Sequence, residues 1–279
     1  MRTHSGILAV IQARMEGNRL PGKVLRELCG HPMITHQLAR VHQVFSLDEI
    51  VVATANTKEN VQVLNPILSQ YGYKVITPEC DPHDVLRRYV ATVSDYRRTK
   101  GKYPDIIVRI TADCPLWCPR VGSDALGAFL SGDAEYLALD QQWGDGLDIE
   151  IFTVDLLIWA NLAGTKASDR EHVTPIIWRN SKNTLLPCPI DLSHQKWSVD
   201  EEADFRFVEY VYRHLYPVND MFAWHDVYTL LEKNAGDPKL IAINAERKPA
   251  NTGYTEQIAR EQGLKEAPTW QEIRYGKEK

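Results

Sequence analysis

The segment that decides the fold is GILAVIQARMEGNRLPGKVL, residues 6–25. Its first part, Ile7–Ala13, is mostly apolar and predicts one buried β-strand. The chain then becomes polar and carries cations among small turn residues, namely Arg14, Arg19 and Lys23. Glycines let the backbone approach a ligand closely, and loop amides and cations attract negative charge. A buried strand that opens into such a loop indicates a polyphosphate site, and a surface turn with solvated charges is the alternative.

The composition of the whole chain limits the possible functions. The 279 residues are 44% hydrophobic and 25% charged, which is typical of a globular α/β protein. The net charge of −5 argues against nucleic-acid binding, which requires a basic surface. No apolar run approaches the ~20 residues that cross a bilayer, so we expect no membrane contact. The 5 cysteines are scattered and lack zinc-binding spacing, which predicts reduced thiols in a cytoplasmic protein.

Predicted strands and helices alternate along the first half of the chain. This rhythm favours a mostly parallel sheet with helices on both faces. The predicted strands are 7–13, 49–55, 74–77, 105–111 and 135–139, and the predicted helices are 35–45, 59–71, 84–98 and 121–130.

Beyond residue 140 the alternation is less regular. Leu147–Thr153 alternates apolar and acidic residues and predicts a half-exposed strand, and Lys196–Val199 predicts a short strand. The predicted helices are 154–163, 170–179, 202–216 and 224–233, followed by mostly polar residues. No repeat or linker interrupts the sequence, so we expect one domain, 1–279, in which residues 141–195 form a lobe over the sheet.

Two aspartates follow predicted strands that are far apart in the sequence. Asp113 follows the strand 105–111, and Asp200 follows the strand 196–199. Ligands bind at the carboxyl ends of strands in open α/β sheets, and a carboxylate there can hold Mg²⁺ against phosphates. A turn or helix-capping role is the alternative for each aspartate.

Several motifs of this chain resemble those of cytidylyltransferases. Residues 13–25 resemble the family pattern ARxxSxRLPGKxL, except at the position of the serine. TADCPL, residues 111–116, is similar to (T/Q)GDxPL, with Ala112 in place of glycine. WSVDEEADF, residues 197–205, is similar to (W/L)(T/S)VDxxxDL, and residues 81–89 resemble xDVLxRY.

Two further motifs narrow the resemblance to the SpsF-like branch, which is related to the synthetases that activate 3-deoxy-octulosonate and sialic acids. They are DGLDIE, residues 145–150, and SDREHVTP, residues 168–175. The resemblance covers roughly residues 7–235 and implies a three-layer Rossmann-like nucleotidyltransferase fold of the GT-A-like type. It also implies a homodimer, with residues 141–195 as the acceptor-binding and dimerisation lobe.

The resemblance implies roles for individual residues. Asp113 and Asp200 would bind Mg²⁺ on the substrate CTP, and the implied catalytic residues are Arg14, Lys23 and Asp113. The implied nucleotide-binding residues are Ala13, Arg14, Asn18, Arg19, Lys23, Ala53, Thr54, Asp84, Arg87 and Thr111. The implied acceptor-binding residues are Asp148, Glu150, Arg170, Glu171 and His172.

The predicted function is transfer of CMP from CTP to a sugar acid, or to a phosphorylated or phosphonate small molecule, with release of pyrophosphate. The product would be a precursor of a polysaccharide or cell-surface glycan. The main alternative is a nucleotide-sugar-dependent glycosyltransferase on a similar fold. Such an enzyme usually carries a DxD triplet at a strand end, and the nearest spacing here, Asp148-Ile149-Glu150, lies outside the first half of the chain.

Overall fold

The structure is a computed structural model that describes residues 6–17, 19–249, 252–268 and 273. The strands, in chain order, are β1 (Ile7–Gln12), β2 (Glu27–Leu28), β3 (His31–Pro32), β4 (Ile50–Ala53), β5 (Lys74–Ile76), β6 (Ile106–Thr111), β7 (Tyr136–Leu139), β8 (Glu150–Thr153) and β9 (Asn183–Leu186). The α-helices are α1 (Met33–Val41), α2 (Asn65–Gln70), α3 (Val85–Lys100), α4 (Pro119–Ser131), α5 (Val154–Ala163), α6 (Ala167–His172), α7 (Pro175–Arg179), α8 (Glu202–Leu215), α9 (Trp224–Lys233), α10 (Pro238–Glu246) and α11 (Thr252–Gln262).

A seven-stranded sheet in the order β5-β4-β1-β6-β8-β7-β9 forms the centre of the fold. β1 is parallel to both of its neighbours, β4 and β6, and β5 continues this parallel set. β8 is antiparallel to β6 and β7, whereas β9 is again parallel to β7. The sheet is therefore mixed but mostly parallel, as the alternation of elements predicts.

Helices cover both faces of the sheet because its central strands are apolar on both faces. In β1, Ala9 and Ile11 pack into one core layer with α1, α4 and α8. Leu8 and Val10 point to the opposite face and pack with α3, α5 and α7. Successive side chains of a strand alternate between faces, so a continuous apolar run is buried on both of them. The result is the three-layer arrangement that the sequence predicts.

The strand β8 is buried, although the sequence predicts a half-exposed strand over Leu147–Thr153. It lies inside the sheet between β6 and β7, and Glu150 is only 8% exposed. Arg109 of β6 is the cross-strand partner of Glu150 and forms an ion pair with it. The acidic Glu150 makes the segment look exposed in the sequence, because its partner Arg109 is distant along the chain.

Other elements after residue 140 also differ from the prediction. The single helix predicted over 170–179 is two short helices, α6 and α7, because Val173 has a positive φ of 69° and Pro175 begins the second helix. Lys196–Val199 forms no strand, and Lys196 makes one isolated bridge to Asp145. Two helices, α10 and α11, follow α9, where the sequence analysis predicts no helix in a mostly polar segment.

Residues 141–195, the predicted lobe, are divided between the sheet and its covering layer. They contribute β8 and β9 to the sheet, and α5 and α7 pack on one of its faces. Whether this region binds the acceptor or forms a dimer stays a prediction. Within the described part of the chain, no helix is both long and apolar enough to span a membrane.

Candidate active site

A cleft of about 1280 Å³ lies at the carboxyl ends of β1 and β6. Gln12 and Thr111, the last residues of these two strands, line it, as do the loops that follow them. The cleft extends past β7 and β8 to α6 and α11. This is the edge of an open α/β sheet at which ligands bind.

The loop after β1 folds back on itself beside this cleft. The backbone amides of Gly17 and Gly22 both donate to the carbonyl oxygen of Met15, at 3.1 and 2.8 Å. Gly22 has a φ of 69°, a left-handed conformation that glycine adopts without strain. Asn60 fixes the start of the loop, since its Oδ1 accepts from the amide of Met15 at 2.9 Å and its Nδ2 donates to Glu16. The loop therefore has a defined shape.

Lys23, at the end of this loop, lies between the two predicted metal-binding aspartates. Its Nζ is 3.3 Å from Oδ2 of Asp113 and 3.5 Å from Oδ1 of Asp200. It also donates to the carbonyl oxygen of Val199 at 2.5 Å. The loops that carry the two aspartates are joined directly, because the amide of Val199 donates to the carbonyl oxygen of Asp113 at 2.8 Å. The structure therefore brings together residues 23, 113 and 200.

The ion pairs set the charge states at this point. Burial alone would raise the pKa of Asp113, but the charge of Lys23 and hydrogen bonds outweigh it and lower the pKa to about 2. Burial would likewise lower the pKa of Lys23, yet Asp113 and Asp200 raise it. Both groups are thus ionised at neutral pH, and the cleft contains a preformed cluster of opposite charges.

A second ionic network holds the segment around Asp200. Asp204 is 1% exposed, and its carboxylate accepts from Lys196 Nζ at 2.7 Å and from Arg247 Nε at 3.2 Å. The same carboxylate accepts from the backbone amides of Asp200 and Glu201, at 3.1 Å each. Asp204 therefore caps the start of α8 and positions the neighbouring Asp200.

Two more carboxylates lie close to Asp113 and Asp200. Ser198 donates to Asp145, and the amide of Gly146 donates to Oδ2 of Asp148 at 2.8 Å. Burial and the nearby charge of Asp148 raise the pKa of Asp145 well above its ordinary value. The neighbouring carboxylates thus disfavour the ionised form of Asp145.

Gly146 makes the tight packing at this turn possible. It has a φ of 103°, and a Cβ there would lie 2.5 Å from the backbone nitrogen of Ser198. A larger residue would push the turn that carries Asp145 and Asp148 away from the segment that carries Asp200.

Several cations line the part of the cleft beside the loop after β1. Arg19 is paired with Asp200 at 3.0 Å, whereas Arg14 lines the cleft without an ion pair to any described residue. Arg88, which the sequence analysis did not assign to the site, is 2% exposed and also lines it. Its Nη2 donates to the carbonyl oxygen of Pro82 at 2.6 Å, but its buried Nε has no hydrogen-bond partner among the described residues. Burial and the nearby charge of Arg14 lower the pKa of Arg88, so an anionic ligand between the two arginines would relieve their repulsion.

The predicted acceptor residues are only partly in the cleft. Asp148, Glu150, Glu171 and His172 line it. The carboxylate of Glu150, however, is held by Arg109 and by the hydroxyl of Tyr136. A ligand would have to compete with these partners for Glu150.

Arg170 does not line the cleft. Its guanidinium donates to Oδ2 of Asp84 at 2.6 Å and to Asn161, and it thereby ties α6 to α3 and α5. Asp84 is the N-cap of α3, where it accepts from the amide of Arg87 at 2.9 Å. Ligand-binding roles for Arg170 and Asp84 stay predictions that this geometry does not favour.

Three other predicted nucleotide-binding residues also lie away from the cleft. Ala53 and Thr54 are fully buried, and the carbonyl oxygen of Ala53 accepts from the amide of Ala13. Arg87 faces a separate surface groove beside Ile76. The arginine of the motif xDVLxRY aligns with Arg88 and not with Arg87, so the spacing of the motif is the sequence signal that indicates Arg88. Asn18 lies outside the described residues.

The helix α11 forms part of the wall of the cleft. It contributes Thr255, Gln257 and Arg260, among others, to the lining. The sequence analysis missed this helix because its apolar positions are few and no motif falls on it.

The site can be tested for its fit to a divalent cation. Among the described residues, no group of three or more His, Cys, Asp or Glu side chains could hold a metal ion. Asp113 and Asp200 alone would therefore need phosphate oxygens and water to complete the coordination, which is how Mg²⁺ is usually bound beside nucleotides. Asp113 and Asp200 supply carboxylate oxygens that line the cleft, which fits this requirement.

Comparison with known proteins adds independent information. Residues 8–215 match the family model described as Cytidylyltransferase. The uncharacterized protein MJ1063 of Methanocaldococcus jannaschii is 29% identical over 244 residues, which are 86% of this chain and 94% of that protein. The spore coat polysaccharide biosynthesis protein SpsF of Bacillus subtilis is 26% identical over 241 residues, 82% of this chain and 95% of that protein.

Among solved structures, a cytidylyltransferase from Leptospira borgpetersenii has a similar fold. The TM-score is 0.76 at 25% identity, and the match covers 89% of this chain and 100% of the other. This similarity confirms the predicted nucleotidyltransferase fold.

Proposed function

This chain belongs to the cytidylyltransferase family, as its motifs predict, and from that premise we propose that it transfers CMP from CTP to an anionic small-molecule acceptor and releases pyrophosphate. The observation that carries the proposal is the position of Lys23 between Asp113 and Asp200, at the carboxyl edge of the sheet. Cations and metal-binding carboxylates are the groups that a triphosphate requires.

The triphosphate of CTP would lie along the loop after β1. Arg14 has no ion pair with a described residue and is available to a phosphate oxygen. Lys23 and Arg19 are paired with the two aspartates and would exchange part of this pairing for phosphate contacts. Arg88 would add a buried charge beside Arg14, which supports phosphate binding at this point.

Asp113 and Asp200 would hold Mg²⁺. The bound cation would neutralise charge on the phosphates in the transition state. Asp204 keeps Asp200 in position through hydrogen bonds to the backbone amides of residues 200 and 201. The pKa of Asp113, about 2, keeps its carboxylate ionised for this role at neutral pH.

The reaction needs no protein nucleophile. An acceptor oxygen attacks the α-phosphorus, the bond from this phosphorus to the bridging oxygen of the β-phosphate breaks, and pyrophosphate leaves. A hydroxyl acceptor passes its proton to solvent, whereas an ionised phosphate or phosphonate oxygen has none to lose. Cys114 is the buried thiol nearest to the aspartates, and burial raises its pKa well above its ordinary value, so it stays a neutral thiol. Positioning and electrostatic stabilisation of the phosphates would supply most of the rate enhancement.

The acceptor would lie at the other end of the cleft, toward His172 and Glu171. We propose a 2-keto-3-deoxy sugar acid, or a phosphorylated or phosphonate small molecule, used to make a polysaccharide or cell-surface glycan precursor. The similarity to a spore coat polysaccharide biosynthesis protein supports this role.

A pyrophosphate-release assay tests the proposed function. The purified chain is mixed with Mg²⁺, one of the four ribonucleoside triphosphates and a panel of sugar acids, sugar phosphates and phosphonates. We expect pyrophosphate only with CTP and an anionic acceptor. Release of a free nucleoside diphosphate from a nucleotide-sugar, without pyrophosphate from CTP, would support a glycosyltransferase instead.

We further propose that the chain acts in the cytoplasm as a homodimer. The 5 cysteines are free, which suits a reducing compartment. Trp159, Leu162 and Leu185 are exposed apolar residues of the 141–195 region, and Leu162 is 79% exposed. Their exposure, together with the position of β9 at the edge of the sheet, supports a dimer contact here.

A further inference from the structure

The helix α11 lies beyond the residues that match the family, 8–215, yet it forms part of the cleft. Two side chains attach it to α6. Glu261 accepts from the backbone amide of Ser168 at 2.7 Å and from the hydroxyl of Ser168 at 2.6 Å. The carboxylate of Glu261 thus satisfies a free amide at the start of α6 and fixes the position of α11.

Gln257 makes the second attachment. Its Oε1 accepts a hydrogen bond from Nε2 of His172 at 2.8 Å. His172 lies in the motif that the resemblance implies for acceptor binding, and it lines the cleft. Gln257 is therefore a positioning residue that orients the imidazole from a helix outside the matched region.

Arg260 lies on the same helix between these two attachment points and lines the cleft. It is exposed, and no described residue forms an ion pair or a side-chain hydrogen bond with it. The arginines of the neighbouring elements differ in this respect. Arg109 is paired with Glu150, Arg170 with Asp84, and Arg179 with Asp169. Arg260 is thus a cation on this wall that is available to a ligand.

We infer that α11 is a wall of the acceptor pocket and that Arg260 binds a carboxylate, phosphate or phosphonate group of the acceptor. This inference rests on the proposed function and deepens it. A guanidinium binds such groups through two parallel hydrogen bonds, which adds orientation as well as affinity. The attachments to Ser168 and His172 hold Arg260 at a defined place, so the helix contributes to the choice of acceptor.

The test compares Arg260→Ala with the wild-type chain in two assays. Calorimetric titration with Mg²⁺ and CTP measures nucleotide binding, and pyrophosphate release with 3-deoxy-manno-octulosonate and the other anionic acceptors of the panel measures turnover. We expect the KM for the acceptor to rise about 10- to 100-fold, the effect of losing one charge-assisted hydrogen-bonding group, while CTP affinity stays within about 2-fold. Arg260→Lys should recover part of the loss.

Lys265→Ala is the matched control. Lys265 is exposed, follows α11 and does not line the cleft, so this variant removes the same charge elsewhere. It should leave both assays unchanged. Thermal unfolding of each variant shows that the fold is retained.

The outcomes separate the two proposals. An unchanged acceptor KM in Arg260→Ala would overturn the inference, and so would wild-type turnover of uncharged acceptors only. If the wild-type chain binds CTP but releases no pyrophosphate with any of the anionic acceptors, the inference also fails, whereas the proposed CTP site is supported. Failure of the wild-type chain to bind CTP would overturn the proposed function itself.

Discussion

The two ends of the cleft use their charges differently. At the proposed phosphate end, Lys23 contacts both Asp113 and Asp200, and all three residues line the cleft. At the acceptor end, Glu150 is 8% exposed and bound to Arg109, and Arg170 is bound to Asp84 outside the cleft. A charged residue of a family motif can therefore bind the ligand or stabilise the fold, depending on the residues with which it is paired.

The difference predicts which substitutions reduce activity and which reduce stability. Removing a charge at the phosphate end should affect catalysis first, because these groups still contact solvent and would act on the phosphates. Removing one of the paired charges near the acceptor end, Glu150 or Arg170, should affect stability first, because its partner is left without compensation.

The largest expected effect is that of Asp113→Ala. Loss of this carboxylate removes half of the protein ligands to Mg²⁺ and should lower kcat by on the order of 1000-fold in the pyrophosphate-release assay. The melting temperature should stay near that of the wild-type chain. Asp124→Ala, on the exposed face of α4, is the control. Full activity in Asp113→Ala would refute the metal assignment.

Next in size is the effect of Glu150→Ala on stability. The substitution leaves Arg109 buried without its partner and should lower the free energy of unfolding by about 3–5 kcal/mol. Urea denaturation measures this loss, and Glu232→Ala, exposed on α9, should cost little. If the variant keeps wild-type stability but loses turnover of the acceptor, Glu150 acts on the ligand and the contrast between the two ends fails.

Lys23→Ala should have a smaller effect than Asp113→Ala, because Arg14 and Arg19 also lie in the cleft. We expect kcat/KM for CTP to fall about 100-fold, with a higher KM and a lower kcat. Lys58→Ala removes an exposed lysine as the control. An enzyme with unchanged kinetics would remove this loop from the site.

Asp204→Asn tests the support of Asp200 through its pH dependence. Burial would raise the pKa of Asp204, but its hydrogen bond from Lys196 and the charge of that lysine outweigh it and lower the pKa. The ionised form is thus stabilised by folding, and its contribution is present above the unfolded pKa of about 4 and is lost as the pH falls through the folded value.

We expect Asp204→Asn to be less stable than the wild-type chain by about 2 kcal/mol at pH 7, and the two to converge as the pH falls below about 4. Thermal unfolding at a series of pH values measures this. A difference that does not change with pH would mean that the charge of Asp204 contributes nothing.

The sequence predicted the phosphate end well because its signals are local. The apolar run of β1, the cations after it and the position of Asp113 after β6 are all visible in short segments. The convergence of Asp113 and Asp200 is implied by the family resemblance and not by strand ends, because Lys196–Val199, which precedes Asp200, forms no strand. The structure confirms that the two aspartates lie close together, since Lys23 contacts both of them.

The acceptor end was predicted less well because its arrangement depends on contacts between distant residues. The pairing of Arg170 with Asp84 spans 86 positions, and no periodicity reveals it. Arg87 and Arg88 lie on different faces of α3, and the packing of this helix determines which of them lines the cleft. Arg88 is buried, whereas Arg87 faces a separate groove.

The sequence by itself determined the alternation of strands and helices before residue 140, the burial of β1 and the residues that follow β1 and β6, because hydrophobic periodicity and turn chemistry are local properties of the chain. The tertiary structure alone decided which charged side chains neutralise one another and which face the cleft. It also brought α11 against α6, since two hydrogen-bonded side chains about 90 positions from their partners hold that helix in place. Charged side chains pair when they lie close together in space, and a short segment of sequence does not show which distant residues will do so.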